Sequence, residues 1–516
     1  MARVLMTTAY SDLVDWPGRL FEADDTTVVT TSTSTVFTFE LGADSDFTGF
    51  DVTFTGTGFT YNGTTPTGGK ITKVEVRNDT GTLILTIDQF SGNGVPNDLS
   101  QIVSDIFGSE AGPRPDGKLA WSHLLLGNDT VIGTAGNDET LKGFMDGNDT
   151  FVMKGGSDSV YTGAGRDTVF GGAGYDEITF EDTALNQGYS AFRGIRVNMN
   201  TGKLTDSWGF VDTFKGIESI RGSRFNDVFI GSEARDEFVG FRGRDVINGG
   251  ADLDRVRYDN DHRNGGQLGI IVDLETSFVN GKVIGQIRDG FGQIDKVINI
   301  ERVIGTRYDD VFVGSRAENE FYGGEGVDSF DGQGGVDSIR FSRQFTDAVQ
   351  TGVNVDLSLL VGQIIDDGFG NTENAVRIED VTGSANADTI SGNAGKNFIQ
   401  GAGGADVLAG KGGADYFYWD GDDQIGEGDV ITDFAVNGVG QRDTLAFNVD
   451  DFEGMTATLR FVNGAAATIA QGQFFFDAAV ETLYWDSDGT GSNLAVAVVE
   501  LDGVTSLTAA NFNLFA

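Results

Sequence analysis

Aspartates recur at a nearly constant spacing in one stretch of the chain, and their carboxylates are the groups best placed to do chemistry. Within residues 126–180, six aspartates follow one another at steps of 9, 11, 9, 9 and 9 residues. A glycine stands two positions before each aspartate, and an apolar residue stands two positions after each, Thr140 excepted. The aspartates are Asp129, Asp138, Asp149, Asp158, Asp167 and Asp176, and the glycines are Gly127, Gly136, Gly147, Gly156, Gly165 and Gly174. Oxygen ligands on a flexible backbone suit Ca²⁺, whereas Zn²⁺ and Cu²⁺ prefer Cys and His. The chain has no cysteine and two histidines.

The same spacing continues in three later blocks, near 223–258, 306–341 and 384–418. All steps inside these blocks are nine residues. Their aspartates are Asp227, Asp236, Asp245, Asp254, Asp310, Asp328, Asp337, Asp388, Asp406 and Asp415, with Asn319 and Asn397 at two equivalent positions. We predict that the aspartates of all four blocks, with the glycines of the first block, bind about ten Ca²⁺ ions in the six- to eight-fold oxygen shells typical of that ion.

Not every unit keeps the pattern. Phe225, Tyr308 and Asn386 replace the glycine before the first aspartate of blocks two to four. We expect these turns, and those of the two Asn units, to bind Ca²⁺ weakly.

A nine-residue period suits one half-turn of a flattened coil. A six-residue Gly/Asp turn precedes a three-residue strand whose middle residue points inward. Unit n then stacks on unit n+2 through parallel strands, and aspartates of adjacent coils meet. Glycine is needed where the turn takes positive φ. The alternative is a disordered Gly/Asp-rich linker, but a linker has no reason to keep an apolar residue in phase with each aspartate.

At residues 171–179 the sequence GGAGYDEIT resembles the calcium-binding nonapeptide of the RTX (haemolysin-type) repeat proteins. This resemblance implies a parallel β-roll that folds on extracellular Ca²⁺. It also implies export from a Gram-negative bacterium by type I secretion machinery, directed by an uncleaved C-terminal signal, and hence an extracellular or cell-surface location.

Composition narrows the possible partners. The formal net charge is −43, from 78 acidic and 35 basic residues, so the chain repels nucleic acid and anionic membranes and attracts divalent cations. Without cysteine no disulfide stabilises the fold. No apolar run is long enough to predict a membrane span, and the N-terminal residues do not resemble a Sec signal.

We predict an all-β protein in three regions. Residues 1–120 hold an N-terminal β-sandwich-like or barrel domain, with alternating strands at 35–41, 51–55, 70–76 and 82–87 and one short helix at 99–107. Residues 121–425 hold the β-roll, a solenoid of nonapeptide repeats. Residues 426–516 hold a β cap that resembles the C-terminal region of secreted RTX proteases and ends in an apolar, acid-poor tail typical of type I secretion signals.

Similar inserts separate the four blocks. Each contains a strand-like phrase, beginning at Gly194, Gly269 and Gly352, and each closes on an Ile-Glu pair (217–218, 300–301 and 378–379). We predict hairpin-like strands that keep the coils stacked.

No catalytic site is predicted. The sequence lacks the metalloprotease H-E-x-x-H and the lipase G-x-S-x-G. His123 is expected to pack at the edge of the first block and His262 to lie in a solvated loop. Two function classes follow: a secreted structural, surface-layer, matrix or adhesion protein that forms a homo-oligomer, filament or lattice, or a secreted enzyme or toxin component whose activity resides in the N-terminal domain.

Overall fold

The structure is a computed structural model that describes residues 3–6, 28–33, 36–40, 51–62, 65–77, 83–88, 128–138, 147–180, 191–341, 350–421, 424–438 and 440–515. The chain divides into two compact units, Met1–Asp254 and Arg255–Ala516. The predicted division into residues 1–120, 121–425 and 426–516 differs from these two units and stays a prediction. The predicted helix at 99–107 lies outside the described residues.

Short strands dominate both units. The first unit contains β1 (Arg3–Met6), β2 (Val28–Ser32), β3 (Val36–Glu40), β4 (Asp51–Asn62), β5 (Thr65–Arg77), β6 (Leu83–Asp88), β7 (Thr130–Ile132), β8 (Thr150–Gly155), β9 (Ser159–Val160), β10 (Thr168–Ala173), β11 (Glu177–Thr179), β12 (Arg196–Asn198), β13 (Lys203–Thr205), β14 (Val211–Lys215), β15 (Ser219–Arg221), β16 (Val228–Ile230), β17 (Glu237–Val239) and β18 (Val246–Asn248).

The second unit contains β19 (Arg255–Arg257), β20 (Ile271–Val279), β21 (Lys282–Arg288), β22 (Ile294–Ile298), β23 (Arg302–Ile304), β24 (Val311–Val313), β25 (Glu320–Tyr322), β26 (Ser329–Asp331), β27 (Ser338–Arg340), β28 (Asn354–Asp356), β29 (Ile364–Asp366), β30 (Asn374–Val376), β31 (Asp380–Thr382), β32 (Thr389–Ser391), β33 (Phe398–Gln400), β34 (Val407–Ala409), β35 (Tyr416–Trp419), β36 (Val430–Ile431), β37 (Thr444–Asn448), β38 (Phe461–Asn463), β39 (Gln473–Asp477), β40 (Thr482–Asp486), β41 (Val496–Leu501) and β42 (Phe512–Phe515).

Helical structure in the described part of the chain consists of short 3₁₀ turns at Met199–Thr201, Asp261–Asn264, Val449–Asp451 and Ala509–Asn511. None of the helices in these ranges is long and apolar enough to cross a membrane. The predicted all-β class is therefore confirmed.

The described N-terminal strands form an antiparallel sheet in the order β2-β3-β4-β5-β6-β1. The alternation of apolar and polar residues explains its buried face, which includes Val52, Phe54, Val74 and Val76. Strand β1 also pairs in parallel with β7, the first strand of the repeats. The described N-terminal strands and the repeats thus share one continuous sheet.

Parallel pairing then links strands of alternate repeat units. In the first unit β7-β8-β10-β14 form one face, and β9-β11-β15-β17 form the other. The middle residue of each three-residue strand points inward, so that Phe229 and Phe238 from opposite faces meet with ring centroids 5.3 Å apart. Aromatic contact of this kind fills the narrow core between the two sheets.

The inserts are antiparallel hairpins added to the same coils. Strands β12-β13-β14 form a meander in the first insert and β20-β21-β22 form one in the second, while β28 pairs antiparallel with β29 in the third. Outer strands of each insert also pair in parallel with repeat strands, as in β12–β16, β20–β24 and β28–β32. The predicted hairpins that preserve coil stacking are confirmed.

In the second unit the parallel order β23-β25-β27-β31-β33-β35-β37-β42 carries one face of the repeats into the C-terminal region. Strand β42 lies in the tail that resembles a secretion signal, and Asn511 beside it is fully buried, its amide donating to the carbonyls of Val436 and Asp443. Removing the tail would therefore uncover β37.

Candidate metal sites

Aspartates of alternate units lie against each other in a regular ladder. The backbone N–H of Asp129 donates to Oδ1 of Asp149 at 2.6 Å, and that of Asp149 donates to Oδ1 of Asp167 at 2.7 Å. On the opposite face Asp138 donates to Asp158 at 2.7 Å, and Asp158 donates to Asp176 at 3.0 Å. The geometry confirms the predicted stacking of unit n on unit n+2.

The ladder repeats in the three later blocks. Its members are Asp227 to Asp245, Asp236 to Asp254, Asp310 to Asp328, Asn319 to Asp337, Asp388 to Asp406 and Asn397 to Asp415, with distances between 2.7 and 2.9 Å. One carboxylate oxygen of each receiving aspartate is thereby fixed by the backbone of the coil before it.

We call the Asp or Asn of each nonapeptide unit its metal-position residue. The turns are of two kinds, which differ in the contacts of the second side-chain oxygen of this residue. The residue four positions before it determines the kind of turn. In the first kind that residue is Ser, Thr or Asn, and its own N–H donates to the side chain of the metal-position residue. We call these capped turns: Thr134/Asp138, Ser223/Asp227, Ser232/Asp236, Thr306/Asp310, Ser315/Asn319, Ser384/Asp388 and Asn393/Asn397.

The turn of Asp227 shows how complete this capping is. Ser223 donates its N–H to Oδ2 at 2.7 Å and its hydroxyl to Oδ1 at 2.8 Å, and the N–H of Ile195 donates to Oδ1 at 2.7 Å. Three donors meet the hydrogen-bonding capacity of both carboxylate oxygens, although burial still raises the pKa of Asp227 to about 7. In the Asn unit of Asn397 the side-chain amide instead donates to the carbonyl of Glu379 at 2.6 Å.

In the second kind of turn, the residue four positions before the aspartate has positive φ, a backbone conformation that the same position of the capped turns does not adopt. We call these left-handed turns. The residues with positive φ are Lys154, Gly163, Gly172, Phe241, Gly250, Gly324, Gln333, Ala402 and Lys411. In six of these turns Oδ2 of the aspartate is buried and accepts no hydrogen bond: Asp158, Asp167, Asp176, Asp328, Asp337 and Asp406.

In most turns of both kinds a glycine five positions before the aspartate makes room for Oδ2, whereas Met153 and Thr162 stand there in the turns of Asp158 and Asp167. A Cβ atom added at Gly323 would collide with Oδ2 of Asp328, and one added at Gly401 would collide with Oδ2 of Asp406. The glycine two positions before the aspartate lies against the preceding coil, so that a Cβ at Gly165 would overlap the carbonyl oxygen of Gly147. The two glycines thus serve different contacts, one with the carboxylate and one with the next coil.

Burial without a donor strongly disfavours the ionised carboxylate. Burial, with the neighbouring charges of Asp176 and Asp138, raises the pKa of Asp158 to about 7. Burial, with the charges of Asp429 and Asp388, raises the pKa of Asp406 to about 8. A proton or a cation must therefore accompany these groups near neutral pH.

A hard divalent cation fits these positions. The unsatisfied atoms are carboxylate oxygens, and oxygen ligands are those that Ca²⁺ prefers. No group of three or more His, Cys, Asp or Glu residues lies together as a metal cluster within the described ranges. Aspartates of left-handed turns, together with backbone oxygens, would hold the ion, and its charge would replace the proton that burial otherwise demands.

Comparison with protein families agrees with this chemistry. The model of the RTX calcium-binding nonapeptide repeat (4 copies) matches residues 125–139, 145–178, 216–259, 304–339 and 382–417. The chain carries RTX calcium-binding repeats. No curated protein matches the chain. The matched residues of this RTX repeat protein end at 417, so the likeness of its C-terminal region to secreted proteases stays a prediction.

Most of the predicted site aspartates therefore lie in the ladder. Their role as metal ligands stays a prediction. Gly127 lies outside the described residues, as does His123. Phe225, Tyr308 and Asn386 belong to capped turns, which gives a physical reason for the weak binding expected there. His262 is half-buried rather than fully solvated, and its Nδ1 lies 2.8 Å from the carbonyl oxygen of Asp259.

The glycine and aspartate positions of the nonapeptide motif do not include the capping residues. Ser or Thr four positions before the metal-position residue is visible in the sequence at Thr134, Ser223, Ser232, Thr306, Ser315 and Ser384. Side chains of Ser, Thr, Asn and Asp commonly fix turns through local hydrogen bonds to the backbone.

Proposed function

We propose that this RTX repeat protein is a secreted, extracellular structural component of a cell surface, matrix or adhesive layer, which folds when it meets calcium outside the cell. The observation that carries the proposal is the ladder of buried carboxylates with unsatisfied oxygens. Sites built for extracellular Ca²⁺ have a Kd around 10⁻⁴–10⁻³ M, so they stay empty in the cytosol and fill after export. Folding would then be delayed until the chain has left the cell, in keeping with type I secretion.

A surface role draws support from apolar residues exposed on the inserts. Leu360 and Val361, between β28 and β29, are 92% and 74% exposed, and Phe278 and Val279 at the end of β20 are about half exposed. Exposed apolar surface can form contact sites with other proteins where it is contiguous. With a formal net charge of −43, copies of the chain repel one another until bound cations reduce the charge. Calcium would therefore promote both folding and association.

Electron microscopy and sedimentation of the full chain test this proposal. In a few millimolar Ca²⁺ we expect filaments, sheets or large oligomers, and in EGTA we expect dispersed chains. Replacing Leu360 and Val361 by Ser should weaken association and leave the strand content unchanged. Monomers at all protein concentrations in Ca²⁺ would contradict the structural role.

We also propose that the chain is not an enzyme, because its sequence contains neither the metalloprotease H-E-x-x-H nor the lipase G-x-S-x-G. The competing hypothesis, an activity in residues 1–120, would gain support if monomers persisted in Ca²⁺ and those residues bound a small molecule. Secretion itself is tested by placing residues 420–516 behind an unrelated cytosolic protein in a strain with a type I exporter. Retention of that fusion in the cell would contradict the proposed route.

A further inference from the structure

The three inserts share an acidic pair that lies outside the nonapeptide motif. Asp206 and Asp212, Asp289 and Asp295, and Asp367 and Glu373 are each six residues apart, with an aromatic residue and a glycine between them. The first acid of the pair closes its own turn. Oδ1 of Asp206 accepts the N–H groups of Trp208 at 3.1 Å and Phe210 at 2.7 Å, and the first acid of each other insert acts in the same way.

The second acid extends the aspartate ladder beyond the block. The N–H of Asp167 donates to Oδ1 of Asp212 at 2.9 Å, and the N–H of Asp328 donates to Oε1 of Glu373 at 2.8 Å. Both Asp167 and Asp328 belong to left-handed turns. The second acid therefore occupies the place that the next aspartate holds inside a block, although it is 45 residues away along the chain.

The oxygens at this junction lack donors. Oδ2 of Asp167 and Oδ2 of Asp212 accept no hydrogen bond, and these side chains are only 2% and 1% exposed. Oδ2 of Asp328 is buried and unsatisfied in the same way. The insert turn also lies over the nonapeptide turn, since the N–H of Gly165 is 3.5 Å from Oδ2 of Asp206. Two buried carboxylates that each have one oxygen without a donor are strongly unfavourable in the ionised form unless a proton or a cation accompanies them.

The C-terminal region ends its ladder differently. Oδ1 of Asp443 accepts the N–H of Asp415 at 2.9 Å, and its Oδ2 accepts the N–H of Ala435 at 2.7 Å. Both oxygens of this carboxylate have donors, so the end of the array is closed by hydrogen bonds. Asp443 is thus a natural control for the insert acids.

We propose that Asp167 with Asp212, and Asp328 with Glu373, each hold one divalent cation, Ca²⁺, at the junction between a repeat block and its insert. Each ion joins two segments that are distant in sequence and fixes the insert hairpin onto the roll. Calcium binding then extends beyond the nonapeptide motif, and the inserts fold with the blocks. This inference concerns cation binding alone and does not depend on the surface role.

The test uses Asp212→Asn and Glu373→Gln in the full chain. Each amide keeps the oxygen that accepts the backbone N–H of the ladder but removes the negative charge. Calorimetry and equilibrium dialysis should show one Ca²⁺ fewer per chain for each variant and two fewer for the double variant. Asp443→Asn should bind the same number of ions as the unaltered chain. The wild-type number of ions at unchanged affinity in both insert variants would overturn the proposal.

A measurement on the unaltered chain covers the case in which a variant does not fold. Hydrogen exchange at residues 206–215 should slow with the same Ca²⁺ midpoint as exchange at residues 163–167, because one ion binds both segments. Insert amides that are equally protected in EGTA would overturn the proposal without any substitution.

Discussion

The early and the late turns of each repeat block bury similar carboxylates in different ways. In the capped turn of Asp227, Ser223 and Ile195 supply three hydrogen-bond donors, whereas in the left-handed turn of Asp176 Oδ2 has none. A buried carboxylate whose two oxygens both have donors loses less on burial than one with an oxygen left without a donor, although burial raises the pKa of Asp227 as well. The presence of the metal-position aspartate therefore does not by itself make a turn depend on calcium.

The order of the two kinds of turn within a block is also informative. In the three later blocks the first two turns are capped and the last two are left-handed. Each left-handed turn therefore stacks on a capped one. We expect the capped turns to set the register of the coil and the left-handed turns to make its folding depend on calcium.

The largest expected effect follows from removing calcium at different pH values. Burial raises the pKa of Asp158 to about 7 and that of Asp406 to about 8, from an ordinary value of 3.8. The folded chain therefore holds protons that the unfolded chain releases as the pH rises above about 4. Metal-free stability is fully present below that pH and is lost as the pH rises through 7 to 8.

Circular dichroism in EGTA checks this prediction. Strand content should be low at pH 8 and should increase on acidification to pH 5, whereas in saturating Ca²⁺ it should change little over the same range. An increase in metal-free strand content with rising pH would contradict it, because the sign of the dependence would be reversed.

Two neighbouring glycines in one left-handed turn should differ sharply. Gly335 has φ +126°, and an added Cβ would collide with the backbone of Ala317 and Glu318, whereas a Cβ at Gly334 would meet nothing within 4 Å. We expect Gly335→Ala to cost about 2–3 kcal/mol of unfolding free energy and Gly334→Ala less than about 0.5 kcal/mol. Chemical denaturation in saturating Ca²⁺ measures both, and equal costs would show that the coils are not stacked at this turn.

Replacing aspartate by asparagine should separate the two kinds of turn. Asp158→Asn keeps the side-chain oxygen that accepts the N–H of Asp138 and removes the unsatisfied anionic oxygen. The number of bound Ca²⁺ ions should therefore fall, and the loss of stability should be modest. Asp227→Asn places an amide N–H₂ against donors, which should cost about 1–3 kcal/mol with no loss of ions. Calorimetry and denaturation of both variants check this, and the same ion loss from both would remove the distinction.

Much of this architecture is predictable from sequence because it depends on short-range periodicity. The glycine, the aspartate and the apolar residue of units such as 171–179 are enough to indicate parallel stacked coils and the pairing of unit n with unit n+2. The alternation in the N-terminal strands is likewise local. Strands β3, β4 and β6 begin within one residue of the predicted starts, whereas β5 begins at Thr65, five residues before the predicted start at 70. Local rules of this kind require no knowledge of distant contacts.

Two features could not be found in this way. Asp212 enters the ladder through a contact with Asp167 that spans 45 residues, across an insert that lacks the nonapeptide motif. The burial of Asn511 and the pairing of the tail with β37 depend on how the C-terminal region folds back, which an apolar, acid-poor composition does not reveal. Contacts of this kind depend on tertiary structure rather than on local sequence.

Hydrogen exchange measured by mass spectrometry along a Ca²⁺ titration tests the central claim most directly. The account predicts that amides of the capped turns at 223–227, 306–310 and 384–388 gain protection at lower Ca²⁺ than amides of the left-handed turns at 172–176, 324–328 and 402–406. In EGTA at pH 6 the capped turns should also exchange more slowly. Identical protection and identical midpoints for the two sets would contradict the claim that the residue four positions before the aspartate decides which turns need calcium.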